Sequence, residues 1–285
     1  MIRMFEGAQH AKTYAEFRPK SSPDVVTKAL AFMNTLSSEK RDQFQSVVDV
    51  GCGNGQSTEI FLPYFSKILG IDPSESQIKY ANLNNTHGNI SYKVGSAEEL
   101  PVPSGSVDLI ASGQAIHWVD FEKFFKECNR ALKPDGCMLL HGYHLPLLSQ
   151  TTDEDSEANA LVVEFYNQCQ WNDRLSHLLD SYERIYDMVP GTSKYRDAHA
   201  AEIVKSRKLS DLEQYFRTWS GYVTYQNKQK AGDGSVANRD DDILSVFITK
   251  LKHLWNVSDK SDDEINVNVK YPVFIVLSRR PNSSS

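Results

Sequence analysis

A cluster of three glycines is the sequence feature that most constrains how this chain can fold. Gly51, Gly53 and Gly55 follow directly on an apolar run, in the segment VVDVGCGNGQS at residues 47–57. Glycine weakens strands and helices, and it is useful where the backbone turns sharply or lets another group come very close. The cluster therefore predicts a buried strand that ends in a tight turn, which either only redirects the chain or receives a ligand.

Strand-like and helix-like segments alternate along the residues that follow. Apolar runs predict strands at 68–72 and 107–112, and alternation of apolar and polar residues predicts one at 90–95. A turn leads into a fifth strand within 134–143. Helices are predicted for QSTEIFLPYF, SESQIKYANLN and DFEKFFKECNRAL, the second of them capped by Ser74. Nearly all-apolar strands that alternate with helices are typical of a doubly wound parallel sheet covered on both faces. The predicted fold class is α/β, with a Rossmann-like sheet.

The chain changes character after residue 148. The polar, acidic stretch SQTTDEDSEAN comes first, and a later stretch, QNKQKAGDGSVANRD, predicts a polar loop. Periodicity predicts helices at 156–170, 173–188 and 241–256, and strands at 201–210 and 266–280. The C-terminal half is therefore expected to be mostly helical, with two strands.

Composition argues against several classes of function. The chain has 31 Lys and Arg against 37 Asp and Glu, and a net charge of −6 does not favour a nucleic-acid backbone as partner. No run of about 18 apolar residues predicts a membrane span, and the N-terminus lacks the apolar core of a signal peptide, so a cytoplasmic location is expected. The four cysteines show no paired spacing, so we expect reduced thiols and no metal site.

The glycine cluster lies where parallel α/β sheets bind ligands, at the carboxyl end of a strand. Dinucleotide sites use the pattern G-x-G-x-x-G, but the order here is G-x-G-x-G, without the third glycine of that signature. Asp72 ends the second strand, where an acid accepts hydrogen bonds from ribose hydroxyls or else caps the next helix. Ser96 and Ala97 follow the third strand, where a polar and then a small residue leave room for an adenine ring.

Four segments in this order form a series of motifs between about residues 47 and 141: VVDVGCGNG, ILGIDPSESQIKYA, GSAEELPVPSGSVDLIASGQAIHWV and ALKPDGCMLL. The series resembles the class I S-adenosylmethionine-dependent methyltransferases. Three further segments, FEGAQHAKTYAEFRP, AIHWVD and YFRTWSGY, resemble the trans-aconitate methyltransferase-like branch of that family. That branch methylates small molecules, often on a carboxylate oxygen.

The resemblance implies S-adenosylmethionine as cofactor, S-adenosylhomocysteine as its product, a small-molecule substrate and no metal. The methionine moiety would lie against the three glycines, where a side chain would collide with it. The resemblance also implies a seven-stranded sheet that ends in antiparallel strands. The residues implied to contact the cofactor are Tyr14, Arg18, Gly51, Gly53, Gly55, Asp72, Pro73, Gln77, Ser96, Ala97 and Gln114.

We interpret residues 1–285 as a single methyltransferase domain in three parts. Residues 1–40 form an N-terminal lid and helix, 41–148 the cofactor-binding core, and 149–285 the substrate-covering helices with the final strands. In the lid hypothesis, Tyr14 and Arg18 fold over the cofactor and the Arg18 guanidinium pairs with its carboxylate. The alternative is a surface arginine on a mobile terminus.

The acceptor decides whether the reaction needs a base. Methyl transfer from a sulfonium mainly requires alignment and desolvation, and a carboxylate acceptor is already ionised at neutral pH. A hydroxyl or carbon acceptor would require a general base, for which His117 is the candidate. Asp120, three residues later, is better interpreted as a helix cap than as a partner of His117. We therefore predict that Gln114 and His117 position an acceptor carboxylate.

Aromatic residues beyond the fourth strand and in the C-terminal half predict the wall of the substrate pocket. Trp118, Trp219 and Tyr222 are assigned to it, with ordinary core packing as the alternative. His141 and His144 have a spacing that is a poor metal signal. The leading hypothesis is O-methylation of a small-molecule carboxylate. The alternatives are methylation of carbon or nitrogen, and a non-catalytic protein that binds S-adenosylmethionine.

Overall fold

The structure is a computed structural model that describes residues 16–35, 42–151, 153–191, 193–232 and 242–280. One mixed sheet crosses the molecule, with strands in the order β3-β2-β1-β4-β5-β8 and with β6 and β7 both paired to β8. The strands are β1 (Phe44–Val50), β2 (Phe65–Asp72), β3 (Ile90–Val94), β4 (Val107–Gly113), β5 (Leu132–Tyr143), β6 (Leu147–Ser149), β7 (Lys194–Lys208) and β8 (Asn266–Arg279).

Helices cover the sheet and fill the space between its last strands. In chain order they are α1 (Asp24–Thr35), α2 (Glu75–Asn84), α3 (Phe121–Ala131), α4 (Ser156–Gln168), α5 (Ser176–Leu179), α6 (Glu183–Met188), α7 (Leu209–Arg217), α8 (Ser220–Gly232) and α9 (Ile243–Leu254). Short 3₁₀ segments lie at Thr58–Phe61, Ile116–Trp118 and Asp173–Leu175. Within the described part of the chain, no helix has the length and apolar character needed to span a membrane.

The sheet confirms the predicted fold class. β1 to β5 pair in parallel, and β8 runs antiparallel to β5, β6 and β7. Neighbouring residues of β1 face opposite layers, because Val47 packs in one apolar cluster and Val48 in the other. Coverage on both faces explains why β4, in the middle of the sheet, is buried at every residue before Gly113, whereas β3 at the edge has exposed residues.

The sheet of the described residues has eight strands, one more than the seven expected, and the length of β8 explains the difference. β8 is 14 residues long, and β5 pairs only with its second half, from Val273 onward. The chain therefore continues past Tyr143 and places β6 beside Asn268–Lys270 on the same side of β8. The predicted strands at 201–210 and 266–280 are antiparallel partners, with Ile203 opposite Tyr271.

The helix predicted for QSTEIFLPYF is wrong. Only Thr58–Phe61 is helical, and it is a 3₁₀ turn whose neighbouring N–H groups bond three residues back, as from Leu62 to Glu59 and from Tyr64 to Phe61. Pro63 has no N–H to continue an α-helical ladder, and β2 begins two residues later. The connection is too short for both a full helix and the return to the start of β2.

The C-terminal half contains more helix than predicted, and it is divided differently. The single helix predicted at 173–188 is interrupted before α6, because Ser181 and Tyr182 both adopt left-handed backbone conformations. Its first part is a 3₁₀ turn, Asp173–Leu175, that runs directly into α5. Helices α7 and α8 were not predicted, and α8 takes in the first residues of the predicted polar loop, up to Gly232. The caps predicted at Ser74 and Asp120 are confirmed, since each side chain accepts a bond from the N–H three residues on.

All four cysteines are buried free thiols: Cys52, Cys128, Cys137 and Cys169. Burial raises the pKa of each thiol, for Cys137 and Cys169 to about 12. The absence of disulfides among them agrees with the interpretation of the cysteine spacing.

Packing across β5 and β8 predicts the cost of one added methyl group. Gly142 lies opposite Phe274, whose buried ring covers it so closely that a Cβ would overlap the ring. We expect Gly142→Ala to lower the free energy of unfolding by about 1–3 kcal/mol, because a packed core resists added volume. Gly88→Ala is the control, since a Cβ there meets nothing within 4 Å. Urea denaturation of both variants tests the prediction, and equal stability would contradict it.

Candidate active site

The carboxyl ends of four parallel strands meet at one edge of the sheet. The N–H of Gly51, just past β1, donates to the carbonyl of Ile71 in β2 (2.8 Å). The N–H of Gly95, just past β3, donates to the carbonyl of Asp72 (3.1 Å). The glycine cluster, Asp72 and the loop after β3 are therefore neighbours, as expected for a ligand site in this fold.

The three glycines are required for different reasons. All have a positive φ, of 71° at Gly51, 55° at Gly53 and 81° at Gly55, a region that side-chain-bearing residues disfavour. A Cβ on Gly51 would overlap Ala115, and one on Gly55 would lie 2.5 Å from the Tyr92 hydroxyl. Nothing lies within 4 Å of a Cβ on Gly53. Backbone conformation alone therefore favours glycine at Gly53, and protein neighbours add a second reason at Gly51 and Gly55. The open space beside Gly53 is compatible with the predicted close approach of a ligand, which stays a prediction.

Asp72 ties the glycine loop to the start of α2. One carboxylate oxygen accepts from the N–H of Gly53 (3.0 Å) and the other from the N–H of Ser74 (2.9 Å). Burial raises the pKa of the Asp72 carboxyl, and these two bonds oppose the shift. The helix-cap alternative does not hold, because Ser74 is the N-cap of α2 and its hydroxyl accepts from the Gln77 N–H. Each carboxylate oxygen of Asp72 keeps a lone pair that can accept a bond from a hydroxyl.

A cleft of about 620 Å³, here called the glycine cavity, opens beside the glycine loop. Most of its lining residues were not assigned to the site from the sequence, and two of these, Asp49 and Asn54, bring polar groups that bear on a ligand. The amide nitrogen of Asn54 is buried and has no hydrogen-bond partner among the described residues, although its oxygen accepts from Gln56 N–H. An unpaired donor that borders a cavity is a feature that a bound ligand would satisfy.

Asp49 places an acid at the wall of the glycine cavity. It is buried within β1, and the Thr58 hydroxyl donates to it (2.6 Å). Burial raises the pKa of the Asp49 carboxyl to about 6, the Thr58 bond lowers it, and the nearby charge of Asp72 raises it further. In the sequence, Asp49 is a single acid within the apolar run VVDV. Burial of a carboxylate is costly, so an acid in such a run indicates a functional role.

A second cleft of about 740 Å³, here called the aromatic cavity, adjoins the first. Arg18, Gln114 and Tyr143 line both cavities. The remaining described residues of the aromatic cavity are His117, Trp118, His144, Leu145, Tyr166, Trp171, Leu175, Leu178, Leu179, Tyr215, Trp219 and Ser220. None of these is an acid, and Arg18 is the one lining residue in the described part of the chain with a permanent charge.

Gln114 forms the boundary between the two cavities. It follows β4 with φ at 56°, an uncommon conformation for a residue with a side chain. Two bonds to β5 hold it there, from its N–H to the carbonyl of His141 (2.9 Å) and from its Nε2 to the carbonyl of Tyr143 (3.0 Å). Backbone strain of this kind clusters at functional sites.

Arg18 occupies the same boundary from the N-terminal side. Its Nε donates to the Thr218 hydroxyl (2.8 Å) and its Nη2 to the Thr218 carbonyl (3.0 Å). The guanidinium lies 5.3 Å from the ring centre of Tyr215, and Nη1 is 3.4 Å from the Tyr143 hydroxyl. One edge of the guanidinium is thus directed at the C-terminal helices, which was not predicted. Tyr14, the other residue of the lid hypothesis, lies outside the described residues.

His117 lies in the wall of the aromatic cavity with 2% of its surface exposed. Its Nδ1 is 3.2 Å from the Tyr182 hydroxyl, and its ring packs on Trp118. Burial lowers the pKa of the imidazole to about 3, and the charges of His177 and Arg174 add to the shift. A histidine with this pKa is neutral near pH 7, but it is a weak base because its pKa is far from the working pH.

Of the three aromatic residues assigned to the substrate pocket, two line the aromatic cavity and one does not. Trp118 and Trp219 line the aromatic cavity, whereas Tyr222 lies in the core behind it, fully buried against Phe165 and donating to Asp242 (2.8 Å). The assignment of Tyr222 to the wall of the substrate pocket is therefore wrong, because its hydroxyl donates to Asp242, directly before α9, instead of facing the cavity. His141 lines the glycine cavity and His144 the aromatic one, and no metal-binding cluster occurs among the described residues.

Six of the described residues that were predicted to contact the cofactor lie outside the cavity lining: Gly55, Asp72, Pro73, Gln77, Ser96 and Ala97. Gln77 is buried in α2, and its side-chain oxygen has no hydrogen-bond partner among the described residues. Ser96 is exposed and its hydroxyl donates to Glu98, while Ala97 is buried beneath it. Pro73 lies between Asp72 and Ser74 in the turn into α2. Their contact with a cofactor stays a prediction.

Comparison with known proteins agrees with this geometry. A family described as "Methyltransferase domain" matches residues 48–140, the stretch from β1 to β5. An uncharacterized methyltransferase of Bacillus subtilis, YcgJ, is 34% identical over 222 residues, which cover 76% of this chain and 74% of that protein. The chain belongs to the class I S-adenosylmethionine-dependent methyltransferases. The comparisons do not single out the trans-aconitate branch.

Other relatives of this methyltransferase cover nearly its whole length. A Dictyostelium discoideum protein that carries the name methyltransferase is 28% identical over 95% of this chain and 93% of its own. A malonyl-[acyl-carrier protein] O-methyltransferase of Marinomonas sp. is 26% identical over 99% of this chain and 93% of its own. A solved structure from Anaeromyxobacter dehalogenans, named as a type II methyltransferase, has a TM-score of 0.69 at 23% identity, covering 93% and 99% of the two chains. That structure supports the fold.

The open space beside Gly53 predicts a selective loss of cofactor binding. We expect Gly53→Val to fold with a loss of about 1–2 kcal/mol from its positive φ, while the side chain occupies the glycine cavity and prevents S-adenosylmethionine from binding. Gly105→Val is a matched control, since Gly105 has a φ of 65° and nothing within 4 Å of its Cβ, but lies outside the cavity lining. Calorimetric titration and thermal melts test this, and normal affinity in Gly53→Val would contradict it.

The buried His117 predicts a stability change with pH. The unfolded chain binds a proton at His117 below about pH 6.5, whereas the folded protein does not until about pH 3, so stability falls as the pH drops through this range. His141 acts in the same sense, and Asp49 in the opposite one between pH 3.8 and about 6. The slope of unfolding free energy against pH in the wild type is therefore the sum of several groups, and a variant is needed to isolate the contribution of His117.

We expect His117→Gln to reduce the slope of unfolding free energy against pH by about 1.4 kcal/mol per pH unit between about pH 4.5 and 6. Urea denaturation at several pH values measures the difference between the two proteins. Parallel slopes would show that His117 titrates in the folded state as it does in the unfolded chain.

Proposed function

We propose that this methyltransferase methylates a carboxylate oxygen of a small molecule that has an apolar body. The observation that carries the proposal is the difference in charge between the two cavities. The glycine cavity has the Asp49 carboxylate in its wall and Asp72 behind it, whereas the described lining of the aromatic cavity contains no acid. Arg18 lies at the boundary and lines both cavities, so in the aromatic cavity its positive charge has no acid beside it in the described lining. A cationic donor suits the first environment, and an anionic acceptor suits the second.

The residues of the glycine cavity fit S-adenosylmethionine. Gly53 leaves the backbone open to the ligand and Asn54 offers an unpaired amide donor. Asp72, behind the cavity lining, retains lone pairs for ribose hydroxyls. When bound, S-adenosylmethionine supplies a methyl group on a positively charged sulfur. Asp49 stabilises positive charge in this cavity, and a cation there would lower its raised pKa.

The residues of the aromatic cavity fit an acceptor that is ionised at one end only. Arg18 is its single permanent positive charge in the described lining, and Gln114 lies beside it at the boundary with the glycine cavity. Tyr166 and Trp171 stack at 4.5 Å, and Trp171 packs on Trp219 at 5.3 Å, which gives the far wall flat apolar surfaces. A carboxylate at the boundary would thus carry an aromatic or aliphatic body toward this wall.

These residues need not remove a proton from such an acceptor. A carboxylate loses no proton on methylation, so the site only has to orient it and exclude water. His117 is neutral and nearly fully buried, and Trp118 beside it is 7% exposed, so both limit the access of water. The Marinomonas relative, named an O-methyltransferase of malonyl-[acyl-carrier protein], gives this acceptor chemistry further support.

A matched set of acceptors tests the proposal. We expect purified protein with methyl-labelled S-adenosylmethionine to label 3-phenylpropionate, and not 3-phenylpropanamide or 3-phenylpropylamine, because only the acid presents an ionised oxygen to Arg18. The product should release labelled methanol in mild alkali, as a methyl ester does. Label in an alkali-stable methylamine would contradict the proposal.

The same chemistry predicts a flat pH profile. A carboxylic acid is fully ionised above about pH 6, and His117 does not titrate between about pH 6 and 9, so kcat should vary less than about threefold over that range. An amine acceptor would instead become faster with rising pH, as the ammonium loses its proton. A rate that rises about tenfold per pH unit would therefore rule out a carboxylate acceptor.

A further inference from the structure

Two consecutive residues between α5 and α6 have an unusual backbone. Ser181 has a φ of 52° and Tyr182 a φ of 57°, although neither is glycine. Such conformations persist only where surrounding contacts enforce them. Here Arg196 donates to the carbonyls of Ser181 (3.1 Å) and Asp180 (2.8 Å), and the N–H of Tyr182 donates to the carbonyl of His177 (2.9 Å).

The strained pair holds two histidines of the aromatic cavity. The Ser181 hydroxyl is 2.9 Å from Nε2 of His144, and the Tyr182 hydroxyl is 3.2 Å from Nδ1 of His117. The Tyr182 ring is itself fixed by an edge-to-face contact with Phe274, with ring centres 4.8 Å apart. The strained backbone conformation therefore directs the side chains of Ser181 and Tyr182 at two imidazole rings that line the cavity.

The direction of the Tyr182–His117 bond follows from burial. Tyr182 is fully buried, and its hydroxyl has no other hydrogen-bond acceptor among the described residues. If Nδ1 carried the proton, the phenol would accept and its own O–H would be buried without a partner, which is costly. The phenol therefore donates to Nδ1, and the hydrogen-bond network assigns the single proton of His117 to Nε2.

We propose that Tyr182 is a positioning residue that keeps His117 in the Nε2–H form, so that His117 donates a hydrogen bond to the acceptor in the aromatic cavity. The role toward the acceptor rests on the proposed function, whereas the tautomer does not. In this form His117 has no lone pair at Nε2 with which to remove a proton. Burial raises the pKa of Tyr182 well above its ordinary value, which keeps the phenol a donor.

Nitrogen-15 NMR of histidine-labelled protein measures the tautomer without any substrate. We expect a pyridine-like signal for Nδ1 of His117 and a pyrrole-like signal for Nε2, assigned by their loss in His117→Gln. In Tyr182→Phe the two signals should move toward each other, because neither tautomer is then favoured by a phenol. Tyr195→Phe, which removes an exposed hydroxyl, should leave them unchanged. A pyrrole-like Nδ1 in the wild type, or no effect of Tyr182→Phe, would overturn the proposal.

Two amide substitutions separate the cavity donor from the Tyr182 contact. The amide nitrogen of glutamine can take the place of Nε2, and asparagine can take that of Nδ1. We expect His117→Gln to keep KM for 3-phenylpropionate within about threefold, and His117→Asn to raise it about 10- to 100-fold at similar kcat, as for loss of a bond to a charged group. A loss of about 1000-fold or more in kcat for His117→Gln would make His117 a base and overturn the proposal.

The two measurements distinguish the two claims. If the NMR pattern is as expected but 3-phenylpropionate is not methylated by the wild type, the acceptor class is wrong and the tautomer assignment stands. If the acid is methylated but Nδ1 carries the proton, the acceptor class stands and the role of Tyr182 falls.

Discussion

The parallel pairing of β1 with β2 and β4 is the constraint on which the rest of the structure depends. Asp49 stands beside Gly70 on one side and Ala111 on the other, which fixes where all three strands end. Because they end together, the loops that follow them share one edge of the sheet. The glycine loop, the turn into α2 and the strained Gln114 are brought together by register, although over 60 residues separate the first from the last. The glycine cavity and its boundary with the aromatic cavity at Gln114 depend on that alignment.

Local signals explain how much of this could be predicted from the sequence. The strands of the first half, the caps at Ser74 and Asp120, and the glycine turn depend on neighbouring residues, and all were predicted. The helix after the glycine loop was wrong because Pro63 and a short connection outweighed an apolar periodicity. The breaks at Ser181 and Tyr182 carry no glycine or proline signal, so the helix predicted there was too long.

Contacts between distant residues explain what the sequence did not predict. The Tyr182–His117 pair joins residues 65 positions apart, and Arg18 reaches Thr218 across 200 positions. Tyr222 has the same aromatic character as the residues that line the cavity, but only the fold shows that Asp242 draws its hydroxyl into the core. Asp49 could have been noticed as an acid in an apolar strand, whereas its position at a cavity wall needed the structure.

The two cavities are built from different parts of the chain, and this separation has an evolutionary consequence. The glycine cavity is lined by residues up to Tyr143, whereas the aromatic wall comes from the helices and loops between β6 and β8, with Tyr166, Trp171, Leu175, Tyr215 and Trp219. Substitutions in those helices can reshape the acceptor pocket while the donor pocket keeps its sequence. Proteins that descend from such a chain can therefore diverge in the acceptor that they bind while they keep the same donor pocket.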